Sequence, residues 1–264
     1  MPVYYGRNAT LEPGAFPSIL AIGDSWFWYP LPGGSLATSL SRIVGPHQHT
    51  MLAFGNNGAE AFDYVEGVYA DVIERALARY GTSLSAVFVS GGGNDFAGFN
   101  DLRPLLGVNC SNCADAAACF NHGTGPGTIE DLFARVRRYY IELIDRIAAN
   151  VPAAARVFVH SYDYALPSGQ AVIGDKAWLK PALAAAKVPN GLRAPCVRYL
   201  IDEFSQQLTD LETLYAGRVV FVDSRNTLAA GDWANELHPK AAGFNKIARE
   251  RWRPALENAG LLQG

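Results

Sequence analysis

The chain has 264 residues, 49% hydrophobic and 18% charged, with a formal net charge of -3. That balance leaves no basic field for a phosphate backbone, so nucleic acid is not expected as a partner. No apolar run reaches the length of a membrane-crossing helix and the start, MPVYYGRN, lacks the charged-then-apolar layout of a secretory leader, so no transmembrane segment is expected and the cytoplasm is the default compartment.

Read in chain order, short apolar runs alternate with amphipathic stretches, the pattern of strand-helix-strand units around a parallel sheet. The first run, residues 18–22, leads into Gly23-Asp24-Ser25 and the aromatic run Trp26-Phe27-Trp28-Tyr29. His47 and His49, both expected in solvent, precede the second run at 50–54, and Gly55-Asn56-Asn57-Gly58 follows it. A helix is predicted over 62–80. The third run, 86–90, ends in Gly91-Gly92-Gly93-Asn94-Asp95, and residues 96–127 then show no periodicity. This segment closes in GTGPG, which no Lys-Ser or Lys-Thr follows, so it is not a phosphate loop.

The clearest helix follows Thr128, which stands with Asp131 as a capping pair ahead of Ile129, Leu132, Phe133, Val136 and Tyr140 at helical spacing. A fourth run at 156–160 precedes a second irregular stretch at 164–193. A helix over 197–215, a fifth run at 218–222 and a helix over 239–257 complete the chain. Five buried strands in a single domain spanning 1–264, with a cysteine-containing insertion at about 96–127, are therefore predicted.

Cys110, Cys113 and Cys119 cluster in that insertion while Cys196 lies far away. Two readings stay open. Cys110-x-x-Cys113 with Cys119 and His122 could supply four zinc ligands, or a disulfide, Cys110 to Cys119 foremost, could pin the loop over the site and imply export.

In open parallel sheets ligands bind at the carboxyl ends of the strands, so the residues after each strand carry the chemistry. A serine hydroxyl attacks a carbonyl only when a base takes its proton and donors stabilise the oxyanion. Ser25 as nucleophile, His238 as base, and Gly58, Asn94 and the Ser25 N–H as oxyanion donors would meet those needs. Trp26, Trp28, Tyr162 and Tyr164 are expected to line the mouth of a substrate pocket. Asp24 is expected to cap the helix after the first strand, and His160 to be packed rather than catalytic.

These blocks resemble the SGNH (GDSL-type) hydrolases: Ser25 in a Gly-Asp-Ser block, Gly58 in a second, Asn94 in Gly92-Gly93-Asn94-Asp95, and His238 before Pro239. The resemblance implies a three-layer α/β/α sandwich, flavodoxin-like, with strand order 2-1-3-4-5. It also implies hydrolysis of a lipid, acyl or acetylated-sugar ester through an acyl-enzyme, with no cofactor and no metal. The family pattern places aspartate three residues before the histidine, where this chain has Asn235. Asn235 is taken as the third member, with Asp232, Glu236 or a backbone carbonyl as alternatives for orienting His238. An acyltransferase or a non-catalytic binding protein on the same scaffold are the competing functions.

Overall fold

The computed structural model describes residues 3–5, 16–28, 34–171 and 177–263. Strands β1 (Val3–Tyr5), β2 (Ile19–Gly23), β3 (Met51–Gly55), β4 (Ala86–Ser90), β5 (Arg156–His160) and β6 (Val219–Val222) form one parallel sheet in the order β1-β3-β2-β4-β5-β6. β2, β3 and β4 are buried along their whole length, as continuous apolar runs covered on both faces must be. Without β1 the order is the 2-1-3-4-5 implied above. The sixth strand is a correction: Val3–Tyr5 adds in parallel to the edge of β3, with Val3 opposite Met51, and three residues are too few to show a strand period.

Among the described residues the helices are α1 (Ser25–Trp28), α2 (Leu36–Val44), α3 (Ala70–Tyr80), α4 (Asn94–Ala97), α5 (Phe99–Leu102), α6 (Ile129–Asn150), α7 (Leu179–Ala185), α8 (Asn190–Leu214), α9 (Ala241–Ile247) and α10 (Arg253–Asn258). They cover both faces of the sheet, with α2 against α9 and α6 against both α3 and α8. α6 begins where predicted, because the Thr128 hydroxyl oxygen accepts the Asp131 N–H at 3.3 Å, and its apolar stripe is buried.

Other boundaries move for local reasons. The helix predicted from 62 starts only at Ala70, because Ala61–Tyr64 forms a 3-10 turn in which the Glu60 N–H donates to Asp63. α8 starts at Asn190, ahead of the predicted 197, and carries Pro195 inside it. The helix predicted from Pro239 begins at Ala241, since Pro239 bridges to Trp233 instead, and a π turn at Ala248–Trp252 joins α9 to α10. That turn delivers the buried Trp252 ring to Phe88 on β4, at 5.1 Å.

Two expectations about histidines and one about thiols are corrected. His49 is half-buried and tied at both ring nitrogens, to the Ser18 hydroxyl and the Leu261 carbonyl at 2.9 Å each, so it staples the C-terminal segment to the sheet. His47 is half-buried as well. All four cysteines are free thiols, and the Cys110 Sγ–H donates to the Cys119 carbonyl oxygen at 3.4 Å in place of the expected disulfide.

Gly55 positions the strand ends. Its φ of +121° is a conformation that glycine adopts without strain, and a Cβ there would lie 1.8 Å from the Gly23 carbonyl oxygen, its register partner on β2. This close approach brings the loops after β2 and β3 together.

Candidate active site

β2 ends at Gly23, and Asp24 turns the chain into α1 so that Ser25 is its first helical residue. The Asp24 carboxylate accepts the Trp26 N–H at 3.0 Å, the capping bond expected from the sequence, and also the hydroxyls of Ser90 at 2.8 Å and Tyr162. Its own N–H donates to the Ser90 carbonyl at 3.1 Å. Burial pushes the Asp24 carboxyl up to about 6 against these bonds. The turn carrying Ser25 is thereby locked to β4 and to the loop after β5.

His238 lies on a loop closed by the Trp233–Pro239 bridge and by the Ala234 N–H donating to the His238 carbonyl at 2.8 Å. Nε2 of His238 is 2.8 Å from Ser25 Oγ, and Nδ1 is 2.9 Å from Asn235 Oδ1. The same Oδ1 accepts the backbone N–H groups of Leu237 and His238, each at 3.0 Å. Two backbone donors require an oxygen at that position, which fixes the amide's orientation. The Nδ1 facing this oxygen must then carry the proton, and Nε2 is left as an acceptor toward Ser25. Burial pushes His238 down to about 4, so the ring is neutral near pH 7.

The two carboxylates considered as alternatives are committed elsewhere. Glu236 is buried and accepts four backbone N–H groups, those of Gly169, Trp178, Leu179 and Lys180, at 2.7 to 3.0 Å. It is the distant cap of α7. Asp232 accepts the Ala229 N–H at 2.8 Å and pairs with Lys246 Nζ at 3.8 Å. Glu236→Gln would turn an amide group toward backbone donors. It is expected to lower unfolding stability by about 2–4 kcal/mol, read from urea denaturation, while kcat of the folded protein stays near that of the parent. A hundredfold loss of kcat with unchanged stability would show Glu236 acting on His238 after all.

Beside Ser25 runs a cleft of about 490 Å³, its mouth included, lined by Ser25 and Asn94 and walled by Phe96, Leu179, Val197, Leu200 and Ile201. The Asn94 amide donates one hydrogen to the Ala59 carbonyl at 2.9 Å, and the neighbouring Asp95 carboxyl accepts the Ala61 N–H at 2.9 Å. Together they clamp the loop that bears Gly58. Burial pushes Asp95 up to about 7. Gly58 itself is exposed with a φ of +79°, and it does not line the cleft.

Of the aromatics expected at the mouth, Trp26 and Tyr162 line the cleft, yet both are committed to holding it. Trp26 Nε1–H donates to the Leu237 carbonyl at 3.0 Å, next to His238, and the Tyr162 hydroxyl donates to Asp24 and accepts the Gly93 N–H at 3.1 Å. Trp28 packs on Tyr5 at 4.6 Å and does not line the cleft, which corrects its assignment as a substrate contact. Tyr164 also lies outside it, donating to Asp202 at 2.6 Å. Tyr29 falls outside the described residues. His160 is packed, as expected, between the rings of Trp26 and Phe27, and burial pushes it down to about 4.

No family model and no curated protein matches this chain. Among solved structures it is similar to a candidate arylesterase from Agrobacterium tumefaciens, at 15% identity over 92% of this chain and 100% of that one, with a TM-score of 0.52. It is likewise similar to a candidate SGNH hydrolase from Slackia heliotrinireducens, at 12% identity over 94% and 100% of the two chains and a TM-score of 0.51. A candidate G-D-S-L lipolytic protein from Desulfitobacterium hafniense aligns at 13% identity over 90% and 98%, with a TM-score of 0.52. The chain has the SGNH-hydrolase fold.

Within this SGNH fold, three parts of the site escaped the sequence. Asp163, buried beside the cleft, accepts the backbone N–H groups of Tyr164, Asn226, Thr227 and Leu228, so it ties the loop after β5 to the loop after β6. Its place just after a strand end is the signal that could have found it. α7, whose Leu179 walls the cleft, lies in a stretch read as irregular, because its cap is Glu236 and not a neighbour. Val197, Leu200 and Ile201 look like any core face of a helix until the cleft is seen beside them.

Proposed function

We propose that the protein is a serine hydrolase that cleaves a carboxylic ester with an apolar acyl group through an acyl-enzyme on Ser25. The observation that carries this reading is the relay from Ser25 Oγ through His238 to Asn235 Oδ1, opening on an apolar cleft. The fold shared with a candidate arylesterase and a candidate lipolytic protein supports ester chemistry at this position.

The ester carbonyl sits over Ser25, and Oγ attacks its carbon while Nε2 takes the proton. Negative charge collects on the carbonyl oxygen. The second hydrogen of the Asn94 amide and the Ser25 N–H, both from residues that line the cleft, are the donors proposed for it. The imidazolium then gives its proton to the leaving alkoxide, and water repeats the sequence on the acyl-enzyme. Asn235 holds the tautomer throughout but offers a neutral oxygen where a carboxylate would stabilise the imidazolium. Phe96, Leu179, Val197, Leu200 and Ile201 receive the acyl chain.

A fluorophosphonate probe is expected to label Ser25 covalently, and p-nitrophenyl esters from acetyl to palmitoyl are expected to show kcat/KM rising beyond acetyl. Absence of labelling would replace the hydrolase with a binding protein on the same scaffold.

Asn235→Asp is expected to raise kcat by about tenfold. A carboxylate at Nδ1 favours the charged ring, so His238 becomes a stronger base and the proton transfer to it easier. The pH profile carries the sign. Catalysis requires neutral His238, so in the parent kcat/KM falls only as pH drops through about 4, and in the variant the acid limb moves up to higher pH. An unmoved limb would mean that residue 235 does not set the charge of His238.

A further inference from the structure

We propose that Cys110, Cys113, Cys119 and Cys196 form a zinc site of four thiolates that staples the 96–127 insertion to α8. Its geometry stands apart from the ester chemistry. The Sγ atoms of Cys110, Cys113 and Cys119 all lie within 4.8 Å of one another, and the buried Cys196, outside that group, stands beside it with its Sγ 3.8 Å from the Ala116 carbonyl oxygen. Three separate elements meet there: the turn at Cys110, the 3-10 turn Ala117–Cys119, and α8. With Zn–S bonds of about 2.3 Å, a tetrahedral site holds its sulfurs about 3.8 Å apart. The three clustered thiols need contract by no more than about 1 Å to meet that spacing.

The local backbone is suited to chelation. The Cys113 N–H donates to the Cys110 carbonyl at 3.1 Å, closing a turn that brings both thiols of the Cys-x-x-Cys pair to one side. Asn109 Oδ1 accepts the Ser111 N–H at 3.1 Å and braces that turn. As thiols the four reach only backbone carbonyls: Cys110, Cys119 and Cys196 are buried and donate at 3.4 to 3.8 Å, and Cys113 donates to the Ala118 carbonyl at 3.2 Å. A divalent cation would take up the four sulfurs as thiolates with release of four protons, leaving a net charge of -2. The Arg103 guanidinium, which donates to the Leu106 carbonyl at 3.1 Å and interacts electrostatically with Cys110, offsets part of it. Asp115 acts on Cys196 in the opposite sense.

The ligand set differs from the one the sequence suggested. His122 is engaged by Glu130 at 2.7 Å and by the Ala117 carbonyl at 3.0 Å, so Cys196 takes the fourth corner. Cys196 directly precedes Val197, and Phe96 opens the insertion; both border the cleft, so a metal here would hold two of its walls in register.

Metal analysis of the purified full chain, prepared without chelator, is expected to find one zinc per molecule, with four titratable thiols after denaturation in chelator. Cobalt added to the metal-free protein should give the visible ligand-field bands of a tetrahedral thiolate complex. Cys113 is only half-buried, so Cys113→Ser leaves the core intact and is expected to weaken zinc binding more than about tenfold against a chromophoric chelator. Cys196→Ser should do the same, while His122→Ala should keep one zinc. Four free thiols without metal, fewer than four thiols, iron in place of zinc, or zinc lost with His122 and kept without Cys196 would each overturn the proposal.

Discussion

Ser25→Ala is expected to lower kcat by at least about 10⁴-fold on any ester the protein hydrolyses, with little change in KM. In the proposed mechanism this hydroxyl forms the acyl-enzyme, and Nε2 of His238, 2.8 Å away, takes its proton. His238→Ala should cost as much, and the double variant no more than either single one, because two residues that act in one step lose their effect together. Removing one small hydroxyl at the start of α1 leaves the Asp24 bonds to Trp26, Ser90 and Tyr162 in place, so thermal unfolding of Ser25→Ala should match the parent closely. Steady-state kinetics beside calorimetry checks both halves. Retention of a tenth or more of the activity would remove Ser25 from the mechanism.

Asn94→Ala is expected to lower kcat by about 10²–10³, the scale of one oxyanion donor. The Asn94 amide has two hydrogens, and the bond to the Ala59 carbonyl uses one, aiming the group beside Ser25 in the cleft. Asn94→Asp should lose more than the alanine variant, since a carboxylate near the developing oxyanion repels it. An effect confined to KM would instead make Asn94 a contact to bound ester, and equal losses for the two variants would make the clamp on Ala59 its whole contribution.

How far the sequence reached can be judged at single residues. β2, β3 and β4 were legible because strands buried on both faces are written as uninterrupted apolar runs. Thr128 with Asp131 marked the start of α6 because a helix cap is a contact between near neighbours in the chain. Asp24 was legible as a cap for the same reason, although its bonds to Ser90 and Tyr162 were not. The aromatic run after Ser25 gave a wrong expectation at Trp28. Consecutive helical residues point in different directions, and the added strand β1 put Tyr5 against that ring.

Composition and pattern by themselves determined a parallel α/β sheet, the strand-end blocks that hold Ser25, Asn94 and His238, and a cysteine-bearing insertion after the third predicted strand. Those signals lie in short stretches, where propensity, period and turn chemistry act. The tertiary structure alone decided which of Asn235, Asp232 and Glu236 meets His238. These three residues lie within five positions, and the choice depends on α7, whose amides come from more than fifty residues away to claim Glu236. It also decided that His122 stays apart from the thiols, because Glu130 and the Ala117 carbonyl hold the histidine. A side chain's partner is set by which segments burial brings together, and that information is spread over the whole chain.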